Sequence, residues 1–113
     1  MKPYIVKNKE FIQFFNNLCP KRQQKLIPVL SRDQINCFSE ICKNFLRGNL
    51  SQNKDIIKKL KHARHDIKSI ALKKSPLYKK KKILQSRRGG AILSILLPLA
   101  ASVITSLLTS KKS

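Results

Sequence analysis

The chain has 113 residues, long enough for one small domain. It carries 25 Lys and Arg against 5 Asp and Glu, a net charge of +20, so a compact fold repels itself unless a polyanion neutralises it. Five acids, no Trp, two His and three dispersed Cys leave no acid–base pair and no glycine-rich phosphate loop, so the composition speaks against an enzyme.

The charge is unevenly spread. Residues 1–50, read as an N-terminal helical region, hold 9 basic and 3 acidic residues. Residues 51–90, a lysine-rich helical region, hold 14 basic and 2 acidic residues. Residues 91–113, an apolar tail, have no charge before Lys111 and Lys112. The middle stretch is therefore the polyanion-binding candidate. Nucleic acid is the commonest such partner and an anionic membrane surface the next. A lysine-rich ribosomal or mitochondrial protein shares the composition. Lys predominates over Arg, which suits phosphate neutralisation by point charges better than bidentate base reading.

In chain order, residues 1–7 read as a short extended lead. Asn8 is placed to cap a first helix, with Glu10 in its first turn. Phe11, Ile12, Phe15 and Leu18 recur at helical spacing, and Phe14 widens that face. Residues 21–27 predict a second short helix closed by Pro28. Ser31-Arg32-Asp33-Gln34 is a capping-box pattern, followed by Ile35, Phe38, Ile41, Cys42, Phe45 and Leu46 at three- and four-residue steps. Gly48 stands where a left-handed residue closes a helix, so a helix is expected from about Arg32 to Arg47.

Ser51 is read as the cap of the next helix. Ile56, Ile57, Leu60, Ala63, Ile67, Ile70 and Ala71 form its apolar stripe. Its outer face carries Lys54, Lys58, Lys61, Arg64, His65 and Lys68, with Lys59 beside them. A solvated lysine face is the plain reading. Only Asp55 and Asp66 are near enough in sequence to pair with these cations, and that scarcity of acids favours phosphate contact. Ser75-Pro76 restarts a helix with Ser as cap and Pro at the first position. Leu77, Tyr78, Ile83 and Leu84 are its few apolar residues. Lys79, Lys80, Lys81 and Lys82 are consecutive and fan around most of a turn, which suits wrapping along a phosphate backbone; such a run also fits a nuclear import signal. No aromatic interleaving points to stacking on single strands.

Gly89-Gly90 is expected to end that helix and to leave a flexible, accessible peptide. From Ala91 to Leu108 the chain is almost wholly apolar and long enough, as a helix, to cross a bilayer core. Pro98 is expected to kink or split it. The same stretch fits a protein groove, an oligomer contact or the core helix of a small bundle.

Cys19, Cys37 and Cys42 show no CxxC spacing, and Cys37 beside Phe38 and Cys42 after Ile41 read as buried small apolar side chains. His62 and His65 lack Cys or acidic company, so neither metal nor cofactor is expected. The first ten residues, MKPYIVKNKE, contain no apolar leader segment, and an intracellular, reducing setting is the default.

At RRGGAILSILLPLAASV the chain resembles the end of the adenovirus late core protein X family, precursors of the mu peptide. Arg87, Arg88, Gly89, Gly90, Ala91 and the stretch 92–103 match its layout of basic region, diglycine and apolar tail. INCFSEICKNFLRGNLS and the lysine-rich stretch after it are also similar to small proteins of polinton (Maverick) elements, which are adenovirus-like. The resemblance implies a DNA-condensing core protein of the virion and host nucleus, cut by a viral protease after Gly90 so that Ala91 becomes a new N-terminus. Arg87 departs from the Met, Ile or Leu that the family's protease prefers at that position.

The residues predict an all-α fold: a small helical bundle, then a basic helix and an apolar C-terminal helix. The expected core is Phe11, Phe15, Phe38, Ile41, Phe45, Ile57, Leu60 and Ile67. The expected function is non-specific DNA binding and condensation. Lys79, Lys80, Lys81, Lys82, Arg87 and Arg88 would neutralise phosphates, backed by Lys54, Lys58, Lys59, Lys61, Arg64 and Lys68. The alternative is a protein of intracellular membranes, with the lysines on anionic lipid and 91–108 as an anchor or membrane-active tail. Contact with a capsid is a further role for 91–108.

Overall fold

The computed structural model describes residues 7–48 and 53–112, with side chains described through 105. Among these residues the chain is all-α. The order is α1 (Lys9–Asn16), α2 (Pro20–Leu26), a 3-10 turn (Ile27–Val29), α3 (Arg32–Leu46), α4 (Lys54–Lys59), a 3-10 turn (Lys61–Ala63), α5 (Arg64–Ala71), α6 (Leu77–Gln85) and α7 (Arg87–Lys112).

Local chemistry accounts for the first helix ends. Pro20 opens α2, where its missing N–H costs nothing. Ser31 and Gln34 close a reciprocal capping box: the Gln34 N–H donates to Ser31 Oγ at 3.2 Å, and the Ser31 N–H to Gln34 Oε1 at 2.9 Å. Gly48, at φ +78°, turns the chain out of α3. The expected Ser51 cap and residues 1–6 of the extended lead lie outside the described residues. Asn53 accepts from the Asp55 N–H at 2.8 Å at the start of α4.

The single helix expected over 51–71 is broken at Leu60 (φ −92°, ψ 2°). Leu60 itself is buried, and the turn after it brings Ile67, Ile70 and Ala71 onto α3. Ile57 rotates outward in consequence and is 44% exposed, so it leaves the expected core. Phe14 is also turned to solvent. Phe11 and Phe45 are half-buried at the core's margin, while Phe15, Phe38, Ile41, Leu60 and Ile67 are buried as expected. Phe11, Phe15 and Phe38 form a tilted trio with centroids 5.2–5.8 Å apart.

One core runs through all three stretches of sequence. Ile12, Phe15 and Ile27, then Leu60, Ile70 and Leu84, then Ile92, Leu96, Leu97, Ala100 and Ile104 of α7 all belong to one buried cluster. Helix α7 packs against α1, α6 and α3 and closes the bundle. The apolar tail thus folds back on the rest of the chain. Through residue 105 its exposed positions are Ala91, Ser94, Pro98, Ser102 and Thr105, at steps of three and four residues. The run has an amphipathic face of small and weakly polar residues. Pro98 lies on that outer side, where its ring meets solvent, and α7 continues through it instead of splitting.

The diglycine differs most from expectation. Ser86 ends α6, and its hydroxyl donates to the Ile83 carbonyl and accepts from the Gly89 N–H at 3.1 Å. It therefore caps α7, and Gly89 and Gly90 lie inside the first turn of α7. Gly89 is buried. A Cβ there would stand 2.1 Å from the Ile83 carbonyl oxygen and 2.6 Å from the Leu84 backbone. Glycine is present for close approach of two helices, not for flexibility. The accessible peptide expected at Gly89, Gly90 and Ala91 is a helical turn, because Ser86 caps it and the α6–α7 contact holds it. Helix α6 itself starts one residue late, with Pro76 as its N-cap.

Candidate nucleic-acid interface

Helices α4 and α5 and the end of α3 enclose a cleft of about 600 Å³. Its floor is Phe45, Leu46, Ile57 and Leu60, and its rim is Lys54, Lys58, Lys61 and Arg64. All four cations are exposed. All four belong to the outer face read from the sequence, and the end of α3 supplies Phe45 and Leu46 beside them.

A second cleft, about 580 Å³, lies along α6 and the start of α7. Lys79, Lys82, Arg87 and Arg88 line it, together with Tyr78, Ile83, Ser86 and Asp66. Positions 78, 79, 82, 83 and 86 form one stripe of α6 and its cap, and the immediate restart at Arg87 adds the two arginines. Asp66 of α5 reaches Arg88 at 3.7 Å. Lys68 lies elsewhere, in a third hollow of about 350 Å³ with Lys43, Arg47 and Lys73. Lys59 is exposed on α4.

Two members of the lysine run are not free for a ligand. Lys80 is 4% exposed, and its Nζ donates to Ser39 Oγ of α3 at 2.9 Å. Leu77, Lys80 and Leu84 are spaced as one helical stripe, and that stripe is the face α6 turns to the bundle. Burial lowers the Lys80 pKa below 10.5, and the neighbouring charge of Lys43 adds to the effect. Lys80 is therefore withdrawn from the phosphate-binding set. Lys81 is half-buried and donates to the Pro28 carbonyl at 2.9 Å, which ties α6 to the 3-10 turn after α2. The run divides into two outward cations, one tether and one core residue.

Sequence reading missed Tyr78, which counts there only as an apolar residue of α6. It is 75% exposed and stands among the cations of the second cleft. It also missed Lys43, Arg47 and Lys73, which join Lys68 only through the α3–α5 packing. The buried thiols play no part in either cleft. Burial, aided at Cys37 by Asp33, pushes Cys37 and Cys42 up to about 12, so both stay protonated. Among the described residues no group of three His, Cys, Asp or Glu is placed to hold a metal ion.

No protein-family model, curated protein or solved structure matches this chain.

Proposed function

We propose that this protein binds DNA non-specifically by neutralising phosphates and condenses it, as a viral-type core protein does. The observation that carries the reading is the fate of the twelve basic candidates: ten are exposed, and eight of them gather in two clefts. Five acids cannot offset twenty-five bases wherever they lie. The free energy held in that self-repulsion is released when a polyanion binds. Neither cleft presents a helix-turn-helix or other groove-reading arrangement, so binding is expected to ignore base sequence.

A membrane anchor is the second reading. By length and composition α7 could cross a bilayer. Against this, Ile92, Leu93, Leu96, Leu97 and Ile104 are buried in the bundle, and between residues 91 and 105 the solvent face of α7 is Ala, Ser, Pro and Thr. Insertion would require the bundle to open and give up its core. Cutting after Gly90 carries the same requirement, since the first turn of α7 must unwind before a protease can take it in extended form.

The test is binding of the full chain to fluorescent duplex DNA across a salt series, with anionic vesicles as competitor. Eight phosphate contacts predict a slope of log Kobs against log salt of about −7. Replacing Lys54, Lys58, Lys61 and Arg64 by Ala should reduce its magnitude to about 4. Weak DNA binding, with the chain partitioning into vesicles, would transfer the basic clefts to lipid headgroups. Selection of one DNA sequence at high salt would refute phosphate neutralisation as the mechanism.

A further inference from the structure

We infer that the second cleft is a subsite for an unpaired nucleotide, with Tyr78 as the platform on which the base stacks. The inference rests on the proposed nucleic-acid binding and adds a preference within it. Single exposed aromatics are common on protein surfaces and need no explanation when they stand alone. Tyr78 does not stand alone. It is 75% exposed, yet it lines a concavity of about 580 Å³ whose other walls include Lys79, Lys82, Arg87 and Arg88.

The arrangement matches what a single strand needs. A ring face accepts any base, and cations beside it track the backbone. From Tyr78 to Ser86 the stripe rises about 12 Å along the helix. That is the length of roughly three or four stacked nucleotides of one strand. Ile83, half-buried between Tyr78 and the arginines in the stripe, supplies an apolar floor that an ion cluster alone would not require. A duplex keeps its bases inside and offers only phosphates to the same cleft. The cleft at Lys54, Lys58, Lys61 and Arg64 contains no Tyr, and its aromatic Phe45 is half-buried in the floor, so the preference belongs to the α6–α7 site.

The experiment compares the full chain with Tyr78→Ala and Tyr78→Phe. Anisotropy reads binding to oligothymidylate, oligouridylate and a duplex of equal charge. The Ala variant should lose roughly five- to a hundredfold in single-strand affinity, the range for one stacked base. Duplex affinity should change less than about twofold, because phosphate contacts are untouched. The Phe variant should retain single-strand affinity. The chain has no Trp and two Tyr, so in a Tyr4→Phe background the intrinsic emission comes from Tyr78 alone. Oligothymidylate should quench it, and the duplex should not. Comparable loss with thymidylate and uridylate places the stacking on the base and leaves the sugar unread; loss with one alone names the strand. Unchanged single-strand affinity in Tyr78→Ala overturns the inference while leaving phosphate binding intact. Equal loss for single strand and duplex overturns it as well. Absence of binding to every nucleic acid removes the inference and the proposed function together.

Discussion

Adjacent glycines at the head of α7 should respond very differently to the same substitution. In Gly89→Ala the new methyl would sit 2.1 Å from the Ile83 carbonyl oxygen, more than 1 Å inside the ordinary contact range that begins at 3.4 Å. The obstacle is backbone, so α6 and α7 must part. Parting them loosens Leu84, Ile92 and Leu93, all buried at or near the junction. Overpacking of this kind costs about 1–3 kcal/mol, and unseating part of one leucine adds a comparable amount. Helix propensity returns about 1 kcal/mol for Ala over Gly. The net is a loss of about 3 kcal/mol, or roughly 9–18 °C in Tm for a domain of this size. In Gly90→Ala the methyl meets only the Gln24 side-chain amide, at 3.2 Å. That amide donates to the Leu84 carbonyl at 3.1 Å and sits at the end of a flexible side chain. The propensity gain should then leave Gly90→Ala within about 1 kcal/mol of the parent. Thermal and urea denaturation followed by far-UV circular dichroism measure both. If the diglycine were a flexible linker, each change would stabilise by about 0.4–1 kcal/mol through the unfolded chain. A Gly89→Ala protein that melts at or above the parent temperature refutes the close-packed junction.

Two further outcomes rest on the same packing. Lys80→Met should raise stability by about 1 kcal/mol below the lowered pKa of Lys80, since a buried charge is replaced by an apolar chain of similar length. Between that lowered value and 10.5 the unfolded parent binds more protons than the folded one, so parent stability rises with pH and the advantage of Met shrinks there. Melting curves against pH test this, and a lower Tm at every pH would mean that the bond to Ser39 outweighs the burial cost. The DNA salt slope should be unchanged in Lys80→Met, whereas Lys79→Met should reduce it by about one. Ending the chain at Gly90 removes Ile92, Leu93, Leu96, Leu97 and Ile104 from the core. At about 1.5–3 kcal/mol each, their loss is of the same order as the whole stability of a small domain. The 1–90 fragment should show no cooperative melt and should aggregate; a cooperative transition like that of the full chain would show that α7 is dispensable.

Several features were legible because they depend on residues within one turn of each other. The capping box at Ser31 and the positive φ of Gly48 are local devices, and they bound α3 as read. The apolar stripe of α1 and α3 also survives, because those helices meet the core along one continuous face. Reading failed where one residue carries two meanings. A lysine run reads as wholly outward, fanned for phosphates, until the spacing of Leu77, Lys80 and Leu84 is noticed, and a long aliphatic stem fits a core stripe. A diglycine reads as a break until Ser86 is seen to cap α7. The apolar tail reads as uniform, although Ala91, Ser94, Pro98, Ser102 and Thr105 mark a solvent face at helical spacing. Tyr78 has no such signal, since one tyrosine beside lysines does not announce a cleft.

What the chain determined by itself is its class and its charge. Helical periodicity and caps act over three or four residues, and net charge is a sum that no arrangement alters, so an all-α, strongly basic protein is written in the order of residues. Which of the cations stay exposed, and what lies beside them, was decided only by tertiary structure. The packing of α6 on α3 buries Lys80. The end of α3 sets Phe45 and Leu46 in the floor that Lys54, Lys58, Lys61 and Arg64 rim. The tight α6–α7 junction sets Arg87 and Arg88 beside Tyr78. Each of these results from apolar side chains distant in sequence competing for one small core, and that competition has no local signature.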